Sequence, residues 1–193
     1  MVRRLYLYLT DRRLRGALNA IGACAGALGD LAKNPEYAPA FFKPHRLRLA
    51  RLAYAVPGGQ GGEAAAAQGR TAVPGSGQAV PAAEDFTARL ENFFNGLARH
   101  KTAADAPVRQ SLSYLQAACA ETWKLLSPWQ RADALAKIRG LSATGTRHLR
   151  LARTAISERR GNFPQILKFS SMYSDLEAVF DALERCALSL YES

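Results

Sequence analysis

Histidine and cysteine are scarce in this sequence, and their positions exclude the common metal and thiol chemistries. The chain has three residues of each type. Cys24, Cys119 and Cys186 lie far apart, so no pair has the C-x-x-C spacing of a zinc or redox site. No histidine follows a glutamate at the Glu-x-x-His spacing of helical two-metal centres. We therefore expect no bound metal, no cofactor, and three reduced, buried thiols in a cytoplasmic protein.

The sequence also lacks the neighbourhoods that catalysis and nucleotide binding need. None of His45, His100 and His148 stands beside a nucleophile or carboxylate in a suggestive arrangement. The glycines at 58–62 lack both the Lys-Ser/Thr pair and the preceding strand of a phosphate-binding loop. We therefore expect a protein that is not an enzyme.

Long apolar runs are missing as well. The best candidate, residues 16–29, is too short and too rich in glycine to cross a membrane. The opening Met-Val-Arg-Arg is similar to the start of a twin-arginine export signal, but Asp11 and further arginines separate it from the apolar run. We expect neither export nor a membrane partner.

What the sequence has in excess is positive charge. Lysine and arginine number 26 against 16 acidic residues, which gives a net charge of +10 and a pI near 10.0. Residues 1–55 and 85–160 each carry a net charge of +7, whereas residues 56–84 carry −1 and residues 161–193 carry −3. Two basic blocks separated by a neutral gap favour a polyanionic partner.

Apolar residues recur at helical spacing along most of the chain. The pattern predicts an all-α protein, a helical bundle of about seven helices. Residues 1–56 form a basic N-terminal helical hairpin, residues 57–84 a flexible linker rich in Gly, Ala and Pro, and residues 85–193 a C-terminal helical bundle. Residues 3–10 alternate Leu with Tyr and fit either a short strand or the lead-in to the first helix.

Local signals predict where these helices begin and end. Pro44 opens the second helix, Asp85 and Asp105 cap the next two, Ser127 begins a capping box, and Gly140 ends that helix as a left-handed cap. A short helical turn over 164–169 and a closing helix over 176–190 complete the bundle. The glycines of the first helix allow a neighbouring backbone to approach closely, or else mark a weak helix that packing tolerates; these are Gly22, Gly26 and Gly29.

One segment, residues 146–160, combines an apolar face with a cationic one. Leu149 and Ile156 recur at the spacing of a buried helix face, while arginines follow one another at intervals of three. Guanidinium groups along a rigid rod suit a polyanion, because each donates in a planar fork to phosphate oxygens. The alternative is an ordinary solvated face. The predicted nucleic-acid-binding residues are the arginines of this helix and of the second helix: Arg147, Arg150, Arg153, Arg159, Arg160, Arg46, Arg48 and Arg51.

Aromatic residues make up only 9% of the chain. Four of them have ring faces that could stack on nucleobases, namely Tyr114, Trp123, Trp129 and Tyr173. Because aromatic residues at helical spacing usually belong to the core, we expect these four to be buried.

Two functions fit these features. In the first, the protein binds RNA or single-stranded DNA through its phosphate backbone, together with other protein subunits. In the second, it is an adaptor or oligomerising scaffold whose basic face meets an acidic partner, such as the Glu177, Asp181 and Glu184 stripe of another copy.

In organisation and charge, and not in any motif, a small basic helical bundle of this kind is similar to the small helical subunits of CRISPR effector complexes. It is similar in the same way to the bundle proteins that accompany diversity-generating reverse transcriptases. The resemblance implies a non-catalytic subunit that lines a ribonucleoprotein and steadies a nucleic-acid strand through backbone contacts.

Overall fold

The computed structural model describes residues 12–54, 76–101, 104–158 and 163–192. Across these ranges the chain is helical and contains no strand, which confirms the predicted all-α class. Two short 3₁₀ helices, Pro35–Tyr37 and Thr122–Leu126, join α1 to α2 and α4 to α5. The six α-helices are α1 Arg12–Lys33, α2 Ala38–Tyr54, α3 Ser76–Arg99, α4 Ala106–Glu121, α5 Arg131–Ser157 and α6 Phe163–Glu192.

Helices α3 and α6 run in opposite directions, as do α1 and α2, and α4 and α5. Contacts between α3 and α6 show this directly, because Arg185 near the end of α6 donates to Asp85 in the first half of α3. At the other end of the pair, Lys168 near the start of α6 donates to the carbonyl of His100, which follows α3. The short 3₁₀ links impose the same reversal on α1 and α2, and on α4 and α5.

The packing places α2 and α5 on different sides of the molecule. Helix α2 packs on α1 and α3, whereas α5 packs on α4 and α6. Helix α1 also packs on α3 and α4, and α3 packs on α6. Because α2 and α5 share no partner helix, the other four helices lie between them.

A single hydrophobic core runs through all six helices. Phe42 of α2 stacks on Phe94 of α3 with ring centroids 6.2 Å apart, and both side chains are fully buried. The N-terminal hairpin and the C-terminal helices therefore dock on each other and share one core.

The predicted linker extends too far. Residues 57–75 lie outside the described residues, but residues 76–84 form the first turns of α3, where Ala79, Val80 and Ala83 are buried. Asp85 is accordingly not a cap but lies inside the helix. The prediction was wrong because alanine-rich sequence was interpreted as linker, although alanine is the best helix former and packs closely.

Helix α2 begins earlier than predicted. It starts at Ala38, so Pro44 lies inside the helix and not in its first turn. A proline there removes one intrahelical hydrogen bond, the one that the carbonyl of Ala40 would accept. Burial of Phe42, two residues upstream, holds these early turns in place despite that loss.

The predicted capping box at Ser127 does not form. Helix α5 begins at Arg131, and its preceding residue Gln130 makes no side-chain cap. Instead the main-chain carbonyl of Ser127 accepts hydrogen bonds from the N–H groups of Gln130 and Arg131, at 3.1 and 2.9 Å. A backbone turn has taken the place of the expected side-chain cap.

Helix α5 also continues through Gly140, where the sequence predicted its end. A glycine inside a helix costs about 1 kcal/mol relative to alanine. The buried face nevertheless continues without a break, from Ile138 through Ser142 to Leu149. Packing of that face outweighs the glycine, and two predicted helices become one.

The predicted pair of helices at the C-terminal end is likewise one continuous helix, α6, because buried Met172 and Tyr173 fill the expected gap. The cap predicted at Asp105 is confirmed. Its Oδ1 accepts a hydrogen bond from the N–H of Val108 at 3.0 Å, and its Oδ2 accepts one from the hydroxyl of Tyr173.

Of the three predicted helix-contact glycines, only Gly22 has a close neighbour, the indole Nε1 of Trp123 at 3.4 Å from an added Cβ. Gly26 and Gly29 face open space among the described residues. The predicted close backbone approach is therefore not made there. The segment 3–10, whose conformation the sequence left open, lies outside the described residues.

Candidate nucleic-acid interface

Arg147, Arg150 and Arg153, the α5 arginines of the predicted basic segment, differ in how far they are exposed. A step of three residues along an α-helix turns by about 60° short of a full circle, so Arg147, Arg150 and Arg153 spiral through about 120°. Their exposure follows that rotation. Arg147 points to solvent, the Arg150 side chain is 70% exposed, and the Arg153 side chain is 36% exposed beside α6.

The inner two arginines are held by a carboxylate of the same chain. Arg153 donates to Oε1 of Glu177 on α6, and Nε of Arg150 lies 3.6 Å from Oε2 of the same residue. The Glu177 side chain is only 15% exposed, so water screens the contact with Arg153 weakly. Part of the predicted cationic face is therefore neutralised within the fold.

The acidic stripe of α6 lies beside α5 along more than this one contact. Burial raises the pKa of Glu184, the neighbouring charge of Asp181 raises it further, and the charge of Arg139 on α5 opposes both effects. Glu177 and Glu184 therefore lie against the basic helix of their own chain. The adaptor hypothesis had assigned these residues to the basic face of a second copy.

Most of the basic side chains of helix α2 are unpaired among the described residues. It carries four basic residues and no acidic one. Arg46 donates to Oε2 of Glu91 on α3 at 2.7 Å. Lys43, Arg48 and Arg51 are exposed and make no ion pair with any described residue. Lys43 and Arg48 lie about 140° apart around the helix axis, with Arg51 and the half-exposed Leu47 between them. We call this solvent-facing half of the helix the α2 cationic face.

The histidine of α2 does not add to this charge. Burial lowers the pKa of His45, and the neighbouring cation Arg48 lowers it further. Its ring lies 5.0 Å from that of Phe41. Near neutral pH His45 is therefore an uncharged ring on the flank of the helix.

A cavity of about 380 Å³ opens between α2 and α3, beside the α2 cationic face. Its lining is mixed, with apolar side chains from α2, two carboxylates from α3 and two cations. The lining residues are Pro39, Lys43, Arg46, Leu47, Ala50, Glu84 and Glu91. Sequence reasoning missed this cavity because its two walls come from helices some 40 positions apart, and nothing in either helix alone signals it.

The predicted binding residues therefore fall into two separate groups. Arg46, Arg48 and Arg51 lie on α2, and Arg147, Arg150 and Arg153 lie on α5, with four helices between the two groups. Arg159 and Arg160 lie outside the described residues. The fold does not bring the two basic elements together into one surface.

Two of the aromatic residues expected in the core are exposed instead. Trp123 is 37% and Trp129 is 76% exposed, both in the connection between α4 and α5. Tyr173 is fully buried as predicted, and Tyr114 is partly buried against the core, with its ring centroid 6.2 Å from that of His148. The prediction was wrong for the two tryptophans because Trp123 lies in a 3₁₀ helix and Trp129 in a turn, where α-helical spacing does not indicate burial.

Within the described ranges, no three histidine, cysteine or acidic side chains cluster as metal ligands would, and no helix is long and apolar enough to span a bilayer. No family model matches the sequence, no curated protein resembles it significantly, and no solved structure matches its fold. The function of the α2 cationic face has to be inferred from its own chemistry.

Proposed function

We propose that this protein is a non-catalytic, RNA- or single-stranded-DNA-binding accessory subunit of a cytoplasmic ribonucleoprotein, and that α2 makes its principal contact with the phosphate backbone. One observation carries the proposal. Among the described residues, α2 exposes Lys43, Arg48 and Arg51 without an ion-pair partner and without any acidic residue of its own. Cations left unpaired on a rigid helix are available to phosphate.

The dimensions of the α2 cationic face suit a polyanion. Lys43 and Arg51 are eight positions apart, which corresponds to about 12 Å along the helix axis. That span covers several phosphates of one strand. Arg48 and Arg51 can each donate two parallel N–H bonds to one phosphate, whereas Lys43 supplies a point charge.

Helix α5 has a smaller part in this proposal. Of Arg147, Arg150 and Arg153, only Arg147 makes no ion pair with a described residue, because Glu177 engages the other two. A strand bound to α5 would have to compete with that carboxylate. We therefore assign α5 a secondary contact on the other side of the bundle.

The adaptor hypothesis loses its most specific form. It assigned the acidic stripe of a second copy to the basic face of the first, but Glu177 already engages Arg150 and Arg153 within one chain. An adaptor role would now need an acidic partner about which the described surface says nothing further.

The test compares two triple variants with the same change in net charge. Lys43→Gln, Arg48→Gln and Arg51→Gln alter the α2 cationic face, whereas Arg99→Gln, Lys101→Gln and Lys137→Gln alter exposed cations elsewhere. Binding of a fluorescent single-stranded oligonucleotide is measured over a range of salt concentrations.

We expect the α2 variant to bind more weakly for every sequence and to flatten the log–log salt slope by roughly 0.7 per lost phosphate contact. The control variant should keep a slope close to that of the unaltered protein. Equal losses in the two variants would reduce the effect to net charge and contradict a site on α2.

A further inference from the structure

We infer that the cavity between α2 and α3 accepts one unpaired nucleobase that carries an amino group, with guanine the best fit. The inference rests on the proposed function, because it places the base of a strand whose backbone lies on the α2 cationic face. The volume of about 380 Å³ lies at the small end of the range for ligand pockets, about 300–1,000 Å³.

The cavity has the two surfaces that a flat heterocycle needs. Leu47 and Ala50, with Pro39, provide apolar wall from α2 against which a ring face can pack. Glu84 and Glu91 stand on the α3 side and supply polar groups for a ring edge.

The carboxylate of Glu91 is fixed before any ligand arrives. The residue is only 8% exposed, and its Oε2 accepts a hydrogen bond from Arg46 at 2.7 Å. This ion pair to a guanidinium group holds the buried carboxylate in one position. Arg46, which the sequence predicts to contact nucleic acid, thus also orients an acceptor in the wall of the cavity.

Ionised carboxylates accept hydrogen bonds and donate none, so these walls select for N–H groups on the base. Adenine, cytosine and guanine each carry an exocyclic amino group, and glutamate is a known type of acceptor for such groups. Guanine presents two adjacent N–H donors on one edge, which match the two oxygens of the Glu84 carboxylate, since Arg46 already engages Oε2 of Glu91. Uracil and thymine present carbonyl oxygens on both sides of a single N–H, and a carboxylate repels those oxygens.

The neighbouring cations define how the strand would run. Lys43 both lines the cavity and belongs to the α2 cationic face, so a phosphate on Lys43 places the attached base next to the opening. Phosphates further along would reach Arg48 and Arg51. In a duplex the Watson–Crick edge of the base is already paired, so the arrangement selects for single strands.

The first experiment varies the ligand. A short oligouridine containing one guanine is compared with the same oligomer containing inosine, which lacks the amino group, and with oligouridine alone. We expect the guanine oligomer to bind at least about fivefold more tightly than oligouridine, with inosine between them. A duplex of the guanine oligomer should show no such preference.

The second experiment varies the cavity. Ala50→Phe fills it, while Ala40→Phe places the same ring on an exposed position of the same helix as a control. Ala50→Phe should abolish the preference for guanine and leave the salt slope unchanged. Glu84→Gln, which replaces an acceptor with a mixed donor and acceptor, should reduce the preference without filling any space.

The outcomes separate this inference from the proposed function. Salt-dependent binding that is equal for all three oligomers, or a guanine preference that survives in Ala50→Phe and Glu84→Gln alike, would overturn the base site and leave the backbone site standing. If the triple variant of the α2 cationic face kept its salt-dependent binding, the proposed function itself would be overturned.

Discussion

The ring of Phe180 lies directly against the backbone of Gly145, with no room between them for a side chain. Gly145 lies on α5, and its carbonyl oxygen accepts a hydrogen bond from the hydroxyl of Ser111 on α4 at 3.4 Å. Three helices therefore meet at Gly145, and α5 can approach α4 and α6 this closely only because the position lacks a Cβ.

We predict that Gly145→Ala destabilises the fold by about 1–3 kcal/mol, because the added methyl group overlaps the buried ring of Phe180. Gly140→Ala is the matched control in the same helix, since a Cβ there meets no described atom within 4 Å. That change should stabilise the fold by about 0.5–1 kcal/mol through helix propensity. Urea unfolding measures both, and equal effects of the two variants would disprove the close contact.

We predict that Arg147, Arg150 and Arg153 of α5 differ in their effect on stability. Replacing Arg153 with Gln should cost about 1–2 kcal/mol, because it leaves the partly buried Glu177 with only the loose contact to Arg150. Arg150→Gln should cost less than about 0.5 kcal/mol, and Arg147→Gln should have no measurable effect. Thermal unfolding of the three single variants checks the order.

A matched check on this ranking uses the carboxylate. In a Glu177→Gln background, Arg153→Gln should lower the free energy of unfolding by less than it does in the unaltered protein. A double-mutant cycle measures this difference. The same background should strengthen binding of single-stranded oligonucleotides, because Arg150 and Arg153 are released. Equal stability of the Arg153→Gln and Arg147→Gln variants would contradict a stabilising ion pair between Arg153 and Glu177.

We predict that the three cysteines are inert while the protein is folded. All three are buried, and burial raises the pKa of the Cys24 and Cys186 thiols from 9.0 to about 12. Between these values the folded state binds more protons than the unfolded state, so stability should fall as pH rises above about 9. Thiol labelling should therefore be slow at pH 8 and complete in denaturant. Rapid labelling of any of the three under native conditions would contradict this burial.

Helical periodicity was enough to predict the class and much of the core. The stripe of Phe86, Leu90, Phe93 and Leu97 is fully buried, as its spacing indicates. The helix boundaries are less predictable, because a glycine such as Gly140 is a local stop signal, whereas the packing of the turns that follow it decides whether the helix ends. Small residues carry weak sequence signals, although they permit the closest contacts.

The sequence was enough to predict the residue types of the candidate site, but not the carboxylates with which its arginines form ion pairs. The arginine-rich segments were visible in the sequence, but the carboxylates that engage Arg46 and Arg153 come from α3 and α6, distant along the chain. Only the packing of these helices determines which cations remain available. The cavity beside Glu91 depends on the same packing, so the sequence alone could not reveal it.

The shared core also has a consequence for synthesis on the ribosome. Helices α1 and α2 leave the ribosome first, but Phe42 of α2 stacks on α3, and α1 packs on both α3 and α4. The first two helices pack on each other, but their apolar faces are fully covered only after the chain has been made through Glu121 at the end of α4. Until then the nascent chain lacks two of the helices whose core includes Leu18, Ile21 and Phe42, and incompletely covered apolar surface of this kind promotes aggregation.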